Sequence, residues 1–141
     1  MMDAFFDIIE KKAGLSKANC EKLKAACLKD RSRLLESAVE TRLVLESEVL
    51  AVLSQIYAVP FTAVVSVDNV KDGVAAVVSR QFLKKCLMVP LIKEGGEAVI
   101  AVNDPSDLSY ADDIAALLDM AEYTFVLAPR NQILSAINAL Y

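Results

Sequence analysis

The sequence predicts an α+β fold: an N-terminal helical block followed by a small mixed sheet of three or four strands packed with helices. Three observations carry that expectation. Apolar residues recur at spacings of three and four as far as Tyr57. Beyond Pro60 they regroup into short apolar runs parted by turn residues. Two of those runs flank Glu94-Gly95-Gly96-Glu97, where paired glycines supply the positive φ angles that a tight hairpin demands. The division falls between a helical subdomain over 1–58 and an α+β subdomain over 59–141.

Each element has its own reason. Phe5, Phe6, Ile8 and Ile9 form the apolar cluster of a first helix that Gly14 ends. Ser16 serves as N-cap of the second, with Leu15 and Cys20 placed as a hydrophobic staple and Cys20, Leu23 and Cys27 as its inward stripe. Leu34, Leu35, Ala38 and Val39 mark a third helix, and a fourth runs from Glu46 to Tyr57. Phe61 to Val67 reads as a strand, and Asp68 to Lys85 as one or two helical turns with Phe82 and Leu83 inward. Leu87 to Lys93 and Ala98 to Val102 make the hairpin strands, which Asp104-Pro105 terminates. Ser109 and Asp112 have the spacing of a capping box, opening a helix with a stripe of Ala111, Ile114, Ala115 and Leu118. Tyr123 to Ala128 is a last strand, and Pro129 suits the first position of a closing helix through Ile133, Ala136, Ile137 and Leu140. That helix is still in pattern at Tyr141, as expected of a piece of a longer parent chain.

Composition narrows the function. With 55% apolar and 24% charged residues among 141, the chain has ample material for a core. Residues 1–45 hold nine Lys or Arg against seven Asp or Glu, and residues 46–141 hold six against twelve. Neither part has the concentrated positive field of a nucleic-acid binder. Three cysteines without a CxxC pair do not meet the zinc patterns, and they suit a reducing compartment as small core residues. The absence of histidine excludes every His-dependent triad or dyad. Residues 49–67 are uncharged, yet Pro60 divides them into a helical and a β-rich part, so they read as a buried helix, a turn and a strand rather than a membrane insertion.

Catalytic chemistry finds no residues here. With four glycines and no Lys-Ser or Lys-Thr after the Gly-Gly turn, the chain carries neither a P-loop nor a dinucleotide fingerprint. Asp112/Asp113 fit the positive end of a helix dipole, Asp104/Asp107 fit a turn, and Lys84-Lys85 fit a solvated helix end. The expectation is a non-enzymatic chain with no catalytic, cofactor or metal residue.

Two segments carry a resemblance. Leu50 to Phe61, LAVLSQIYAVPF, resembles the LxxxLAxxYGxPF stretch in N-terminal domains of type II secretion and type IV pilus assembly ATPases of the GspE/PilB kind, a family that includes the MshE N-terminal domain. Met88 to Ser109, MVPLIKEGGEAVIAVNDPSDLS, is similar to that family's xxPLxxxxxxLxVAxxDPxDLx, and the likeness extends over about residues 33–141. It implies a cytoplasmic adaptor domain, peripheral to the inner membrane. Its partners would be the cytoplasmic domain of a GspL-like membrane protein and the C-terminal ATPase domains of its own parent, hexameric in the assembled machine.

Some members bind cyclic di-GMP through RLGxxLxxxGxxxxxxLxxxLxxQ. Arg33 and Leu34 match its start and Leu53 its last leucine, while Leu35 and Arg42 stand at its two glycines. Ala38 and Val49 replace two further leucines, and Ile56 takes the glutamine position with Gln55 beside it. Glycine matters there because backbone must approach the nucleotide closely. Arg33, Leu34 and Gln55 are thus a remnant of that motif. Gly14-Leu15 precedes a helix much as Arg42-Leu43 does, a weak echo of the same segment. Protein docking is the leading reading. A second-messenger receptor, in which Arg33→Ala abolishes binding, is the alternative.

Overall fold

Four helices fill most of the described residues among the first 61 positions. The computed structural model describes residues 2–30, 33–106 and 108–141. Contacts divide them into two units, one of Met1–Phe61 with Asp104–Ser106 and the other of Thr62–Asn103 with Asp107–Tyr141. Within these residues the eight helices and three strands make an α+β fold.

In the first unit, α1 (Met2–Ala13) stops at Gly14, whose φ of +64° is the left-handed geometry a helix end favours. The α2 helix (Lys17–Lys29) is capped by Ser16, whose hydroxyl accepts from Asn19 N at 3.2 Å, and it buries Cys20, Leu23 and Cys27. The α3 helix (Leu34–Glu40) buries Leu34, Leu35 and Ala38, whereas Val39 is half-buried. At the start of α4 (Glu46–Tyr57), the Glu48 carboxylate reaches back to accept from Leu45 N at 2.9 Å. This helix turns Val49, Leu50, Val52 and Leu53 inward. It ends at Ala58, left-handed at φ 55°. The α1 helix packs on α4, and α2 on α3. Phe5 and Phe6 meet edge to face at 5.3 Å, and Phe5, Ile9, Leu23, Leu50 and Leu53 are fully buried. Each contributes about 1.5–3 kcal/mol of hydrophobic free energy.

The second unit is built on a sheet of order β1-β2-β3. Strands β1 (Met88–Ile92) and β2 (Ala98–Val102) pair antiparallel across the hairpin, with Ile92 opposite Ala98. Only Gly96 takes a positive φ, +93°; Gly95 does not. The β3 strand (Thr124–Leu127) pairs parallel to β2, as its crossover through α7 (Ser109–Leu117) requires. Leu83 of α6 (Arg80–Cys86) and Ile133, Ala136 and Ile137 of α8 (Arg130–Leu140) are buried, and α6 and α8 both pack on β1. Val74 anchors the single turn of α5 (Val74–Val77).

Beyond Gly95, which lacks the positive φ expected of it, four expectations need correction. Phe61–Val67 is not a strand. Side chains take up several of its polar groups: Thr62 Oγ1 donates to Val64 O at 2.8 Å, Asp68 N to Ser66 Oγ at 3.2 Å, and Val65 N to the distant Gln132 Oε1 at 3.1 Å, while Thr62 N donates to Leu127 O at 2.8 Å. Such side-chain bonds compete with a ladder, and the sheet has three strands among the described residues. Ser109 is the first helical residue rather than the cap; Leu108 holds the cap position, so the Ser109–Asp112 box does not form. Leu118 is the C-cap of α7 and only half-buried. Pro129 is the N-cap of α8, one residue before its expected place.

Candidate functional site

The α3–turn–α4 segment carries the residues singled out as a nucleotide-motif remnant. Arg33 sits at the N-cap of α3 and is exposed, donating from Nε to Glu36 Oε2 at 2.9 Å. An exposed, solvent-screened pair of this kind is weak, so the guanidinium is held but not locked. Leu34 is wholly buried and acts as a core residue. Gln55 is exposed on α4. Arg33 lines a shallow depression of about 370 Å³ with Lys29, Ser37 and Glu40. Gln55 lines a separate one of about 390 Å³ with Lys11 and Lys12 of α1. Neither depression contains both residues.

The two glycine positions differ sharply. Leu35 is 2% exposed, its side chain part of the core. Arg42 is exposed and holds φ at +62°, a backbone suited to glycine. The turn holding it is local: Arg42 N donates to Val39 O at 3.0 Å, and Thr41 Oγ1 donates to Ala38 O at 2.6 Å. Gly14, at φ +64°, is likewise left-handed just past the end of α1, the ordinary geometry of a helix end.

Two further residues have structural roles, each within its own unit. Asp104 Oδ2 accepts from Leu35 N at 3.0 Å and Oδ1 from Ser106 N at 2.9 Å. One carboxylate thus caps the first turn of α3 and closes its own Asx turn. Asp107, its expected pair partner, lies outside the described residues. Asn103 is buried at 5% exposure and donates from its amide to Ala128 O at 3.0 Å, joining the ends of β2 and β3. Asp104-Pro105 marks the turn in sequence, but an acceptor 69 residues from its donor leaves no local signal. At Asp112 the partner is Tyr123, whose hydroxyl donates to Oδ1 at 2.7 Å.

The thiols are poor nucleophiles. Burial pushes Cys27 up to about 11 and raises Cys86; at Cys20, burial leads and Glu10 adds to the rise. Among the described residues no three of Cys, Asp and Glu come together as a metal site. No described helix is long and apolar enough to cross a membrane.

The described residues thus make up a four-helix unit and a three-stranded sheet unit. The family model of the MshEN domain matches residues 57–141, and the chain belongs to that family. No curated protein matches it. Among solved structures, MshE with cdg is 21% identical, with a TM-score of 0.67 over 97% of this chain and 98% of that one. The N-terminal domain of XpsE is 16% identical, with a TM-score of 0.70 over 99% and 95%. A second crystal form of that domain gives 0.55 at 20% identity, over 96% and 93%. At these identities the likeness is one of fold. The resemblance to N-terminal domains of secretion and pilus ATPases therefore stands at the level of family and fold.

Proposed function

We propose that this chain is the non-catalytic N-terminal domain of a secretion ATPase. It docks the motor onto the cytoplasmic domain of a GspL-like inner-membrane platform protein in type II secretion. The ATPase domains would lie C-terminal to it in a hexameric parent, cytoplasmic and held at the membrane through the partner. The observation that carries this reading over a nucleotide receptor is Leu35. Its side chain fills the core at a position where the nucleotide motif has glycine. The test is size-exclusion chromatography of this chain mixed with the platform protein's cytoplasmic domain. A shifted joint peak is expected, and two separate peaks at tens of micromolar would sink the assignment.

Arg42 favours a second reading, a cyclic di-GMP receptor of a pilus-assembly ATPase. Its left-handed turn keeps the backbone that glycine provides, and MshE, of the same fold, has been solved with cdg. Calorimetric titration with cyclic di-GMP decides it. Saturable binding that Arg33→Ala abolishes supports the receptor, and heats equal to dilution in the wild-type chain exclude it.

A further inference from the structure

The strongest unused feature lies in the sheet unit, where the β1–β2 hairpin meets the turn between α7 and β3. A groove of about 340 Å³ opens there, with Ile92, Ala98, Leu118 and Met120 along its floor and Asp119 and Glu122 at its rim. On the hairpin side there is open space around the position a Cβ would take at Gly96. Asp119 holds a left-handed backbone at φ 56°, and Met120 N returns to Ala115 O at 2.8 Å, so the α7–β3 side of the groove has a defined geometry. A smaller depression continues past Asp119 and Met120 to Asp112. Leu117, next to the groove in sequence, is 55% exposed.

The charged residues that line the groove, Asp119 and Glu122, are both acidic. From Glu94 to Pro129 the sequence contains eight Asp or Glu and no Lys or Arg. Of these, Glu94, Glu97, Asp112, Asp113, Asp119 and Glu122 are exposed in the sheet unit. A Debye length of about 8 Å at physiological salt sets the range over which such carboxylates act on a docking segment. An apolar floor inside an acidic rim selects for apolar anchors flanked by positive charge.

We propose that this groove docks a basic amphipathic segment of a partner protein, one presenting leucine-like anchors between lysines or arginines. The proposal rests on the reading of this chain as an interaction module and goes beyond the platform contact, since it concerns a different class of partner surface. The isolated chain tests it without the membrane partner, so the two readings fail separately.

The experiment is an NMR titration of the ¹⁵N-labelled chain with three synthetic 12-residue probes: a Lys/Leu amphipathic peptide, its Glu/Leu counterpart and a Lys/Ser peptide without anchors. The Lys/Leu peptide should shift amides of 92–98 and 117–123 and bind at least about fivefold more tightly than either control. Asp119→Asn with Glu122→Gln should weaken it about fivefold, and 300 mM salt should weaken it about tenfold relative to 50 mM. Asparagine tolerates the left-handed backbone as aspartate does, so the double variant should keep its fold. Equal binding of the Glu/Leu peptide, shifts spread away from the groove, or no saturable binding would overturn the proposal. Displacement of the peptide by spermine at matched charge would also overturn it, reducing the effect to ion condensation.

Discussion

Replacing the residues at the two glycine positions of the α3–α4 segment should move stability in opposite directions. Arg42→Gly removes the strain of a left-handed backbone on an L-residue, worth about 1–2 kcal/mol. The extra freedom that glycine gives the unfolded chain takes back about 0.4–1 kcal/mol. The net expectation is a gain of about 0.5–1 kcal/mol, because the exposed Arg42 side chain has little packing to lose. Leu35→Ala deletes a side chain 2% exposed in the core and should cost about 3 kcal/mol. With a urea m-value of about 2 kcal/mol per molar, the midpoint should rise by about 0.4 M for the first and fall by about 1.5 M for the second. Equilibrium urea unfolding followed by far-UV circular dichroism reads both. A lower midpoint for Arg42→Gly would refute the reasoning, since the arginine would then contribute more than its backbone costs. A Leu35→Ala midpoint unchanged within error would equally remove the argument that this position is closed to a nucleotide.

Three further outcomes can be checked. Asp104→Ala should cost about 2 kcal/mol through loss of the α3 cap, and Asp104→Asn about half of that, because one oxygen is kept; hydrogen exchange at the Leu35 amide should speed up in both. Asn103→Leu should destabilise by about 1–3 kcal/mol in thermal unfolding, since Ala128 O loses its buried donor. The raised Cys27 thiol favours the neutral form in the folded state. Its contribution to stability is therefore fully present below the ordinary value of 9.0 and lost as pH rises through about 11. Alkaline unfolding midpoints should show that decline, and Cys27→Ala should flatten it; an identical slope in the variant would refute the assignment.

Periodicity made the helical part legible. Glu46–Tyr57 appears in the sequence as it does in the fold, because Val49 and Leu53 repeat at helical spacing before a turn. Phe61–Val67 misled because β-branched residues are common in strands, while the competing bonds of Thr62, Ser66 and Gln132 depend on where those side chains arrive. The Ser109 box failed for a similar reason: Leu108 takes the cap, and Tyr123 engages Asp112 from eleven residues away. At the candidate site the sequence identified Arg33 and Gln55, but not that they line separate depressions. It also carried no sign that Arg42 would adopt a left-handed torsion. Torsions of that kind are set by helix ends meeting in space, which residue identity alone does not report.

The loop at Asp104–Ser106 bears on how the chain can be divided. By its contacts it belongs with residues 1–61, although it follows β2 in sequence. A boundary drawn near Phe61 therefore cuts through one unit and leaves the α3 cap on the wrong fragment. An expressed 1–61 peptide would fray at Leu35 for want of a carboxylate, and its weakness would be misread as low intrinsic helix stability. A chimera exchanging only the first 61 residues would inherit a host loop in that place. To transplant the helical unit intact, the graft must take two pieces of chain, the second only three residues long.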